Sequence, residues 1–367
     1  MRLGVRAALV DGEVVAGDVT IEEGAVTAVG VSPAGSLGTA VPGFVDAHIN
    51  GIAGVDFLGA DEQGYRRARE ALAATGVVAF QPTFVSSPRD AYGEPLALAG
   101  ALPADGLPDP MGVHLEGPFL APAWAGAHDP AHLLPPDPAL AAELCDAGPV
   151  TMMTVAPELP GGLELVRMLA ARGVVVSLGH SDADAAAAHA AFGAGARAIT
   201  HVHNAHRRWR PRDPGLAGVA LVRPDARVQA IVDGVHLAPE SAYGAFLAAN
   251  NRFCLVTDAV EAAGMGQGSY RLGGRTVLVA DGAVRLRDGT LAGSLLTMDQ
   301  AVRNLVAAGA GLAGAVHAAS AAPAGLLGRG DLGLLRAGAP AHIAVLDDEL
   351  RVLRTVVGGV EAFKAAR

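Results

Sequence analysis

The chain is 367 residues long, carries a formal net charge of −10, and is 51% hydrophobic and 17% charged by residue. This composition builds a large buried core and excludes an intrinsically disordered protein, while the length allows roughly two domains. The acidic balance, without any basic run, argues against a nucleic-acid partner. Lysine is confined to Lys364, which excludes a P-loop lysine, a Schiff-base lysine and a lysine general base from the fold.

The first 42 residues predict short strands, because valine-rich runs alternate with DG and EG breaks until Pro42-Gly43 ends the segment. Residues 335–360 return to the same pattern of short strands. We therefore expect residues 1–42 and 335–367 to pair into a small β-sandwich domain. Residues 43–334 are expected to form the second, larger domain.

In residues 43–334, β-branched apolar runs alternate with alanine-rich helical stretches such as 61–75 and 182–195. The strand runs are 43–50, 76–84, 111–116, 150–158, 173–181, 198–204, 227–236 and 253–259. Eight such repeats predict a parallel (β/α)8 barrel. A doubly wound sheet is the alternative. We favour the barrel because the number of predicted strands is eight, which is the number that forms a closed barrel of this kind.

Polar side chains able to bind a metal or move a proton recur where these runs end. They are His48, Asn50, Glu116, His180, His201, His203, His236 and Asp258. Barrel enzymes carry their chemistry at the carboxyl ends of the strands. A single histidine there would be interpreted as packing, but the recurrence over several strands predicts a metal site.

Glu116, His180 and His201 form the best ligand set, since two imidazoles and a carboxylate leave positions open for water and substrate. We expect one divalent ion per subunit, with Zn first and Fe, Mn or Co as alternatives. Asp258 ends the eighth strand and is a candidate acid/base. A helix N-cap is the alternative role for Asp258.

The first strand carries His48-x-Asn50, and residues two apart face the same side of a strand. An amide is a poor ligand for a borderline-soft metal. The pair therefore argues against a second ion, although His48 stays a candidate ligand for one.

Several motifs together resemble the amidohydrolase superfamily and, within it, the N-acetylglucosamine-6-phosphate deacetylases. They are VPGFVDAHINGIAGVDF (41–57), GVHLEGPFLAP (112–122), LGHSDA (178–183), THVHNA (200–205), RDPGLAG (212–218), DGVHL (233–237) and VTDA (256–259). The resemblance implies metal-dependent hydrolysis of N-acetylglucosamine 6-phosphate to glucosamine 6-phosphate and acetate, in amino-sugar catabolism or cell-wall recycling. It also implies a barrel flanked by a small β-sandwich.

By the same resemblance, Glu116, His180 and His201 hold the metal, Asp258 is the catalytic acid/base and His128 meets the acetamide carbonyl. Arg212 is implied to bind the phosphate from a neighbouring subunit, which predicts a homodimer or larger homo-oligomer. The implied substrate contacts are Ala127, His128, Asn204, Ala205, Arg212, Asp233, His236, Leu291, Ala292 and Gly293.

Lysine usage separates this chain from the binuclear amidohydrolases, such as dihydroorotase and hydantoinase, that bridge two metals with a carboxylated lysine. The fourth strand run ends in TVAPE, and no lysine lies anywhere in residues 43–334. A metal-dependent deaminase is the alternative activity, and a barrel without catalysis that senses sugar phosphates is the alternative that is not an enzyme. Cys145 and Cys254 lie far apart and predict no disulfide framework.

Asp11 and Glu13 interrupt the first apolar run, so no signal peptide is expected. Nor does the sequence contain a run of about 18 uncharged apolar residues. We therefore expect a cytoplasmic protein that acts on a small amino-sugar phosphate and has no membrane partner.

Overall fold

A computed structural model describes residues 1–366. The chain begins with five strands: β1 (Val5–Val10), β2 (Glu13–Ala16), β3 (Asp18–Glu22), β4 (Ala25–Val31) and β5 (Leu37–Pro42). Strand β1 pairs antiparallel with β2 and parallel with β5, while β3 and β4 form a separate antiparallel pair.

Eight parallel strands then follow one another around the barrel. They are β6 (Phe44–Ile49), β9 (Val77–Val85), β11 (Val113–Glu116), β12 (Val150–Val155), β13 (Val175–Leu178), β14 (Ala198–Ile199), β15 (Arg227–Ala230) and β16 (Phe253–Leu255). The short strands β7 (Gly51–Ile52) and β8 (Val55–Asp56) pair with each other, and β10 (Asp109–Pro110) pairs with β9.

The barrel closes between its last and first strands through contacts just beyond β16. The Asp258 backbone N–H donates to the His48 carbonyl at 2.8 Å, and the Thr257 hydroxyl donates to Asp46 Oδ2 at 2.6 Å. Every residue of β6 and β9 is buried, so both faces of these strands are covered, as expected of a parallel barrel.

Helices follow the barrel strands in chain order, and the last three come after β16. They are α1 (Glu62–Ala74), α2 (Gly93–Ala101), α3 (Pro138–Asp146), α4 (Gly162–Ala171), α5 (Ala185–Ala194), α6 (Gly215–Val222), α7 (Pro239–Ala249), α8 (Met298–Ala307), α9 (Leu312–Ala319) and α10 (Ala321–Leu326). Asp61, Asp137 and Asp184 cap α1, α3 and α5 by accepting backbone N–H groups, each worth about 1 kcal/mol. Within residues 1–366, no helix has the length and apolar character needed to cross a membrane.

A three-stranded antiparallel sheet is inserted between β16 and α8. Its strands are β17 (Gly268–Leu272), β18 (Arg275–Ala280) and β19 (Ala283–Arg285). The insert has a small apolar cluster of its own, which includes Leu272, Val277 and Val284 and also takes in Val85 at the end of β9. We call residues 259–297, which connect β16 to α8 and contain this sheet, the roof.

The chain ends with β20 (Ile343–Leu346), β21 (Val352–Val357) and β22 (Val360–Lys364), which return to the N-terminal strands. Together they form a six-stranded sheet in the order β2-β1-β5-β20-β21-β22. This sheet shares an apolar cluster with β3 and β4 that includes Val5, Ile21 and Val345. The predicted (β/α)8 barrel with a small terminal β domain is confirmed, while the boundaries at residues 42 and 334 stay predictions.

Candidate active site

A cleft of about 450 Å³ opens at the carboxyl ends of the barrel strands, under the roof. Loops that follow different strands supply its walls, as in other barrels of this kind. Most residues singled out from the sequence line it: Glu116, Ala127, His128, His180, His201, Asn204, Ala205, His236, Asp258, Leu291 and Gly293.

Three buried side chains converge at the base of the cleft. Glu116 Oε1 lies 3.2 Å from His180 Nε2 and 3.0 Å from His201 Nε2, and the two imidazole nitrogens are 3.2 Å apart. Glu116 ends β11, while the histidines follow β13 and β14. The barrel therefore brings together residues that are far apart in the sequence.

The hydrogen bonds of the two histidines decide which ring nitrogens face the centre. His180 Nδ1 is 2.8 Å from the Trp124 carbonyl oxygen, and His201 Nδ1 is 3.2 Å from the Asn204 carbonyl oxygen. A carbonyl can only accept, so each Nδ1 carries the proton and each Nε2 presents a lone pair. Two lone pairs and a carboxylate oxygen at such distances repel one another unless a cation lies between them. The donor set fits a divalent metal ion.

The backbone at these strand ends adopts an uncommon conformation. His180, His201 and Asp258 have φ angles of 49°, 30° and 48°, in the left-handed region that non-glycine residues seldom occupy. Each such residue costs on the order of 1–3 kcal/mol unless its surroundings hold it. The turn directs three polar side chains into one cleft immediately after their strands end.

Asp258 lies opposite the histidines and is held by the first strand. Asn50 Nδ2 donates to Asp258 Oδ1 at 2.7 Å, and His48 Nε2 lies 3.2 Å from the same oxygen. Burial would raise the pKa of Asp258, but the charge of His48 and its hydrogen bond outweigh burial and lower that pKa. The carboxylate is therefore ionised at neutral pH and can accept a proton. His48, Glu116 and Asp258 form a second group with metal-ligand spacing.

His128 lies on a loop beside the metal centre. Its Nδ1 accepts the Ser86 backbone N–H at 3.2 Å, so the proton is on Nε2, which lies 3.4 Å from Glu116 Oε2. Burial and the neighbouring His180 lower the pKa of His128. The ring is thus neutral and presents an N–H donor toward the centre.

With this geometry established, the comparisons with known proteins become informative. The model of the amidohydrolase family matches residues 39–363, which is most of the chain. The chain belongs to the amidohydrolase family.

Two relatives and one solved structure show where in the family the similarity lies. The chain is 40% identical to human N-acetylglucosamine-6-phosphate deacetylase, over 88% of this chain and 83% of that protein. It is 36% identical to N-acetylgalactosamine-6-phosphate deacetylase of Escherichia coli O157:H7, with 87% and 86% covered. A mutant N-acetyl-D-glucosamine-6-phosphate deacetylase from Mycobacterium smegmatis, solved in complex with N-acetyl-D-glucosamine-6-phosphate, superposes with a TM-score of 0.93 at 34% identity, covering 99% of both chains.

Three residues that the resemblance implies to contact substrate do not line the cleft of this amidohydrolase. Asp233 lies behind His236 and accepts from its Nδ1 at 2.7 Å, which orients that imidazole. Ala292 is fully buried in the apolar cluster of the roof. Arg212 is exposed, on the loop between β14 and α6, outside the cleft of its own chain.

Other cleft residues of the amidohydrolase were missed at the level of sequence. Trp124, Leu272, Arg285 and Thr290 all line it. Arg285 is its sole arginine or lysine within residues 1–366. The roof residues lie in a segment with no strand-end signal, and arginine is too common in this chain for one of them to stand out. The sequence offered no signal that could have found them.

Proposed function

We propose that this amidohydrolase removes the acetyl group of N-acetyl-D-glucosamine 6-phosphate, releasing glucosamine 6-phosphate and acetate, with one divalent metal ion per subunit. The observation that carries the proposal is the convergence of Glu116, His180 and His201 opposite an ionised Asp258. A chain 40% identical to a deacetylase with this name supports the same activity.

Glu116 and the Nε2 atoms of His180 and His201 would hold the ion, and Zn comes first because these ligands suit it. A divalent ion bound there polarises a carbonyl oxygen and makes water more acidic. Burial would raise the pKa of the Glu116 carboxyl, but the charge of His48 and the hydrogen bond from His128 outweigh burial and lower that pKa. The carboxylate therefore stays ionised.

The proton transfers are assigned to residues of the chain. His128 Nε2–H would donate to the acetamide carbonyl oxygen, where negative charge develops. Asp258 accepts the proton of the attacking water and passes it to the leaving amine nitrogen. The hydrogen bond from Asn50 fixes one oxygen of Asp258 and leaves the other free for this transfer.

The sugar phosphate would be bound further out. Asn204, Ala205 and His236 line the cleft beyond the metal centre, and a planar guanidinium suits a phosphate dianion. Because Arg212 is exposed outside its own cleft, we propose that it enters the cleft of a second copy. The proposal therefore includes a homodimer. It also includes a cytoplasmic location, with which the low cysteine content is consistent.

Purified, metal-replete protein should release acetate from N-acetylglucosamine 6-phosphate with a higher kcat/KM than from the unphosphorylated sugar. N-acetylgalactosamine 6-phosphate is the sharpest competitor, because one relative carries that name. Elemental analysis of the same sample should find about one divalent ion per chain. Turnover of other amides without acetate release from either 6-phosphate would overturn the substrate assignment.

A further inference from the structure

Arg275 connects the roof to the loop that carries His128. Its Nη1 donates to the carbonyl oxygens of Ala127 and His128, at 3.0 Å to each. Within residues 1–366, no other side chain donates a hydrogen bond to either carbonyl. The side chain is half-buried and belongs to β18, which is far from the loop in sequence.

The loop it contacts has little regular structure of its own. Residues 121–128 contain one short 3₁₀ turn, Pro122–Trp124, and then a bend held by the His128 backbone N–H donating to Ala125 at 3.1 Å. At the ring end, His128 is held by Ser86. At the backbone end, its carbonyl is held by Arg275.

The turn that precedes Arg275 is itself held against the barrel. It donates the Gly273 N–H to Asp56 Oδ2 at 3.4 Å, and within the roof the Arg271 N–H donates to Glu261. Leu272 packs in the same apolar cluster as Val85, against which Ala127 also lies. The guanidinium therefore extends from a fixed position on the roof.

We propose that Arg275 is a positioning residue for the deacetylation: it holds the backbone of Ala127 and His128 so that His128 Nε2 points at the acetamide carbonyl. This inference rests on the proposed function for the role of His128. The contact itself does not depend on the substrate. A displacement of about 1 Å at a catalytic donor can cost on the order of 100-fold in rate, so a lost backbone anchor is measurable in turnover.

Arg275→Met removes both hydrogen bonds while keeping an apolar stem of similar length. We expect kcat to fall about tenfold or more with KM nearly unchanged, and Arg275→Lys to recover part of the loss. Arg287→Met is the matched control, because Arg287 lies on the same roof, is exposed, and makes no hydrogen bond or ion pair within residues 1–366. It should retain the wild-type kcat.

A double-mutant cycle separates positioning from general stability. In a His128→Gln background, Arg275→Met should cause little further loss of kcat, because the group it positions is already gone. Equal losses in both backgrounds would overturn the proposal, since they would mean that Arg275 acts independently of His128.

Hydrogen–deuterium exchange tests the contact without any substrate. In the metal-replete Arg275→Met protein, amides of residues 121–128 should exchange faster than in wild type and in Arg287→Met, with metal content unchanged. Unchanged exchange would overturn the anchor even if the wild type deacetylates as proposed. If wild type releases no acetate, the proposed function fails, while the exchange result still decides whether Arg275 holds the loop.

Discussion

The floor and the roof of the cleft are built in different ways. The floor consists of the strand ends that carry Glu116, His180, His201 and Asp258, all buried and fixed by the parallel ladder of the barrel. The roof contributes Arg285, at the end of β19, and Gly289 and Thr290, in the loop that follows; all three are exposed or half-buried. A rigid floor suits bond-making chemistry, and adaptable loops suit recognition of a particular sugar. Mutations on the floor should therefore lower kcat, and mutations at the recognition surface should raise KM.

The largest effect is expected from Glu116→Gln on the floor. The amide removes the charge that offsets the cation, so we expect the metal content to fall and kcat/KM to drop by about 10⁴-fold. Elemental analysis and acetate release on the same sample test this. Retention of both metal and activity would show that Glu116 is not a ligand.

Asp258→Asn should be the next most severe change, with kcat lowered by about 10²–10⁴-fold, the range typical of a general acid/base. Metal content should remain near wild type, because the three ligand atoms at the base of the cleft are untouched. The comparison with Glu116→Gln separates proton transfer from metal binding. Near-normal turnover would mean that another group accepts the proton.

Phosphate recognition provides the sharpest contrast with the floor. Arg212→Met should raise KM for N-acetylglucosamine 6-phosphate by about 10–100-fold, the loss expected for charge-assisted hydrogen bonds, with kcat little changed. Arg285→Met, which removes the arginine that lines the cleft of its own chain, should have a smaller effect. A larger rise in KM for Arg285→Met than for Arg212→Met would place the phosphate under the roof of a single chain.

Mixing Arg212→Met and Asp258→Asn subunits tests whether the arginine crosses between copies. A mixed dimer contains one cleft with Asp258 intact and Arg212 supplied by its neighbour, so activity at low substrate concentration should return. Failure to complement, in a sample whose native mass proves that mixed dimers form, would contradict the shared site.

The floor could be predicted from sequence far better than the roof. All eight strand runs form barrel strands, because buried parallel strands leave an unbroken apolar pattern. Histidine and carboxylate side chains directly after those runs, such as His180 and His201, share one cleft because parallel strands end at the same face. Local sequence therefore contained most of the information on the floor.

What sequence could not supply is geometry that depends on contacts between distant segments. The left-handed conformation of His180 and Asp258 is uncommon even for histidine and aspartate, so the residue type alone does not predict it. Arg285 lines the cleft, and Arg275 reaches the loop that carries His128, only because the roof folds back over both. Among so many arginines, no local pattern distinguishes these two.

The smallest predicted effect lies at the junction of floor and roof. Asp56 Oδ1 accepts the Leu58 N–H, and its Oδ2 accepts the Gly273 N–H of the roof. Burial raises the pKa of Asp56 to about 6. Between about pH 4 and pH 6, the folded protein therefore keeps a proton that the unfolded chain, with its ordinary carboxyl pKa, has already released. The stability contributed by Asp56 must then fall as the pH rises through this window.

Asp56→Asn keeps the shape of the side chain and removes the titration. The free energy of unfolding of Asp56→Asn minus that of wild type should rise by about 2 kcal/mol as the pH is raised from about 4.5 to about 7.5. Urea denaturation of both metal-replete proteins at the two pH values measures this. Any loss from the altered contact with Gly273 is the same at both pH values and cancels in this difference. Asp61→Asn, at an exposed helix cap nearby, should show a much smaller change with pH. An equal change with pH in both variants would mean that burial at the junction of floor and roof does not raise the pKa of Asp56.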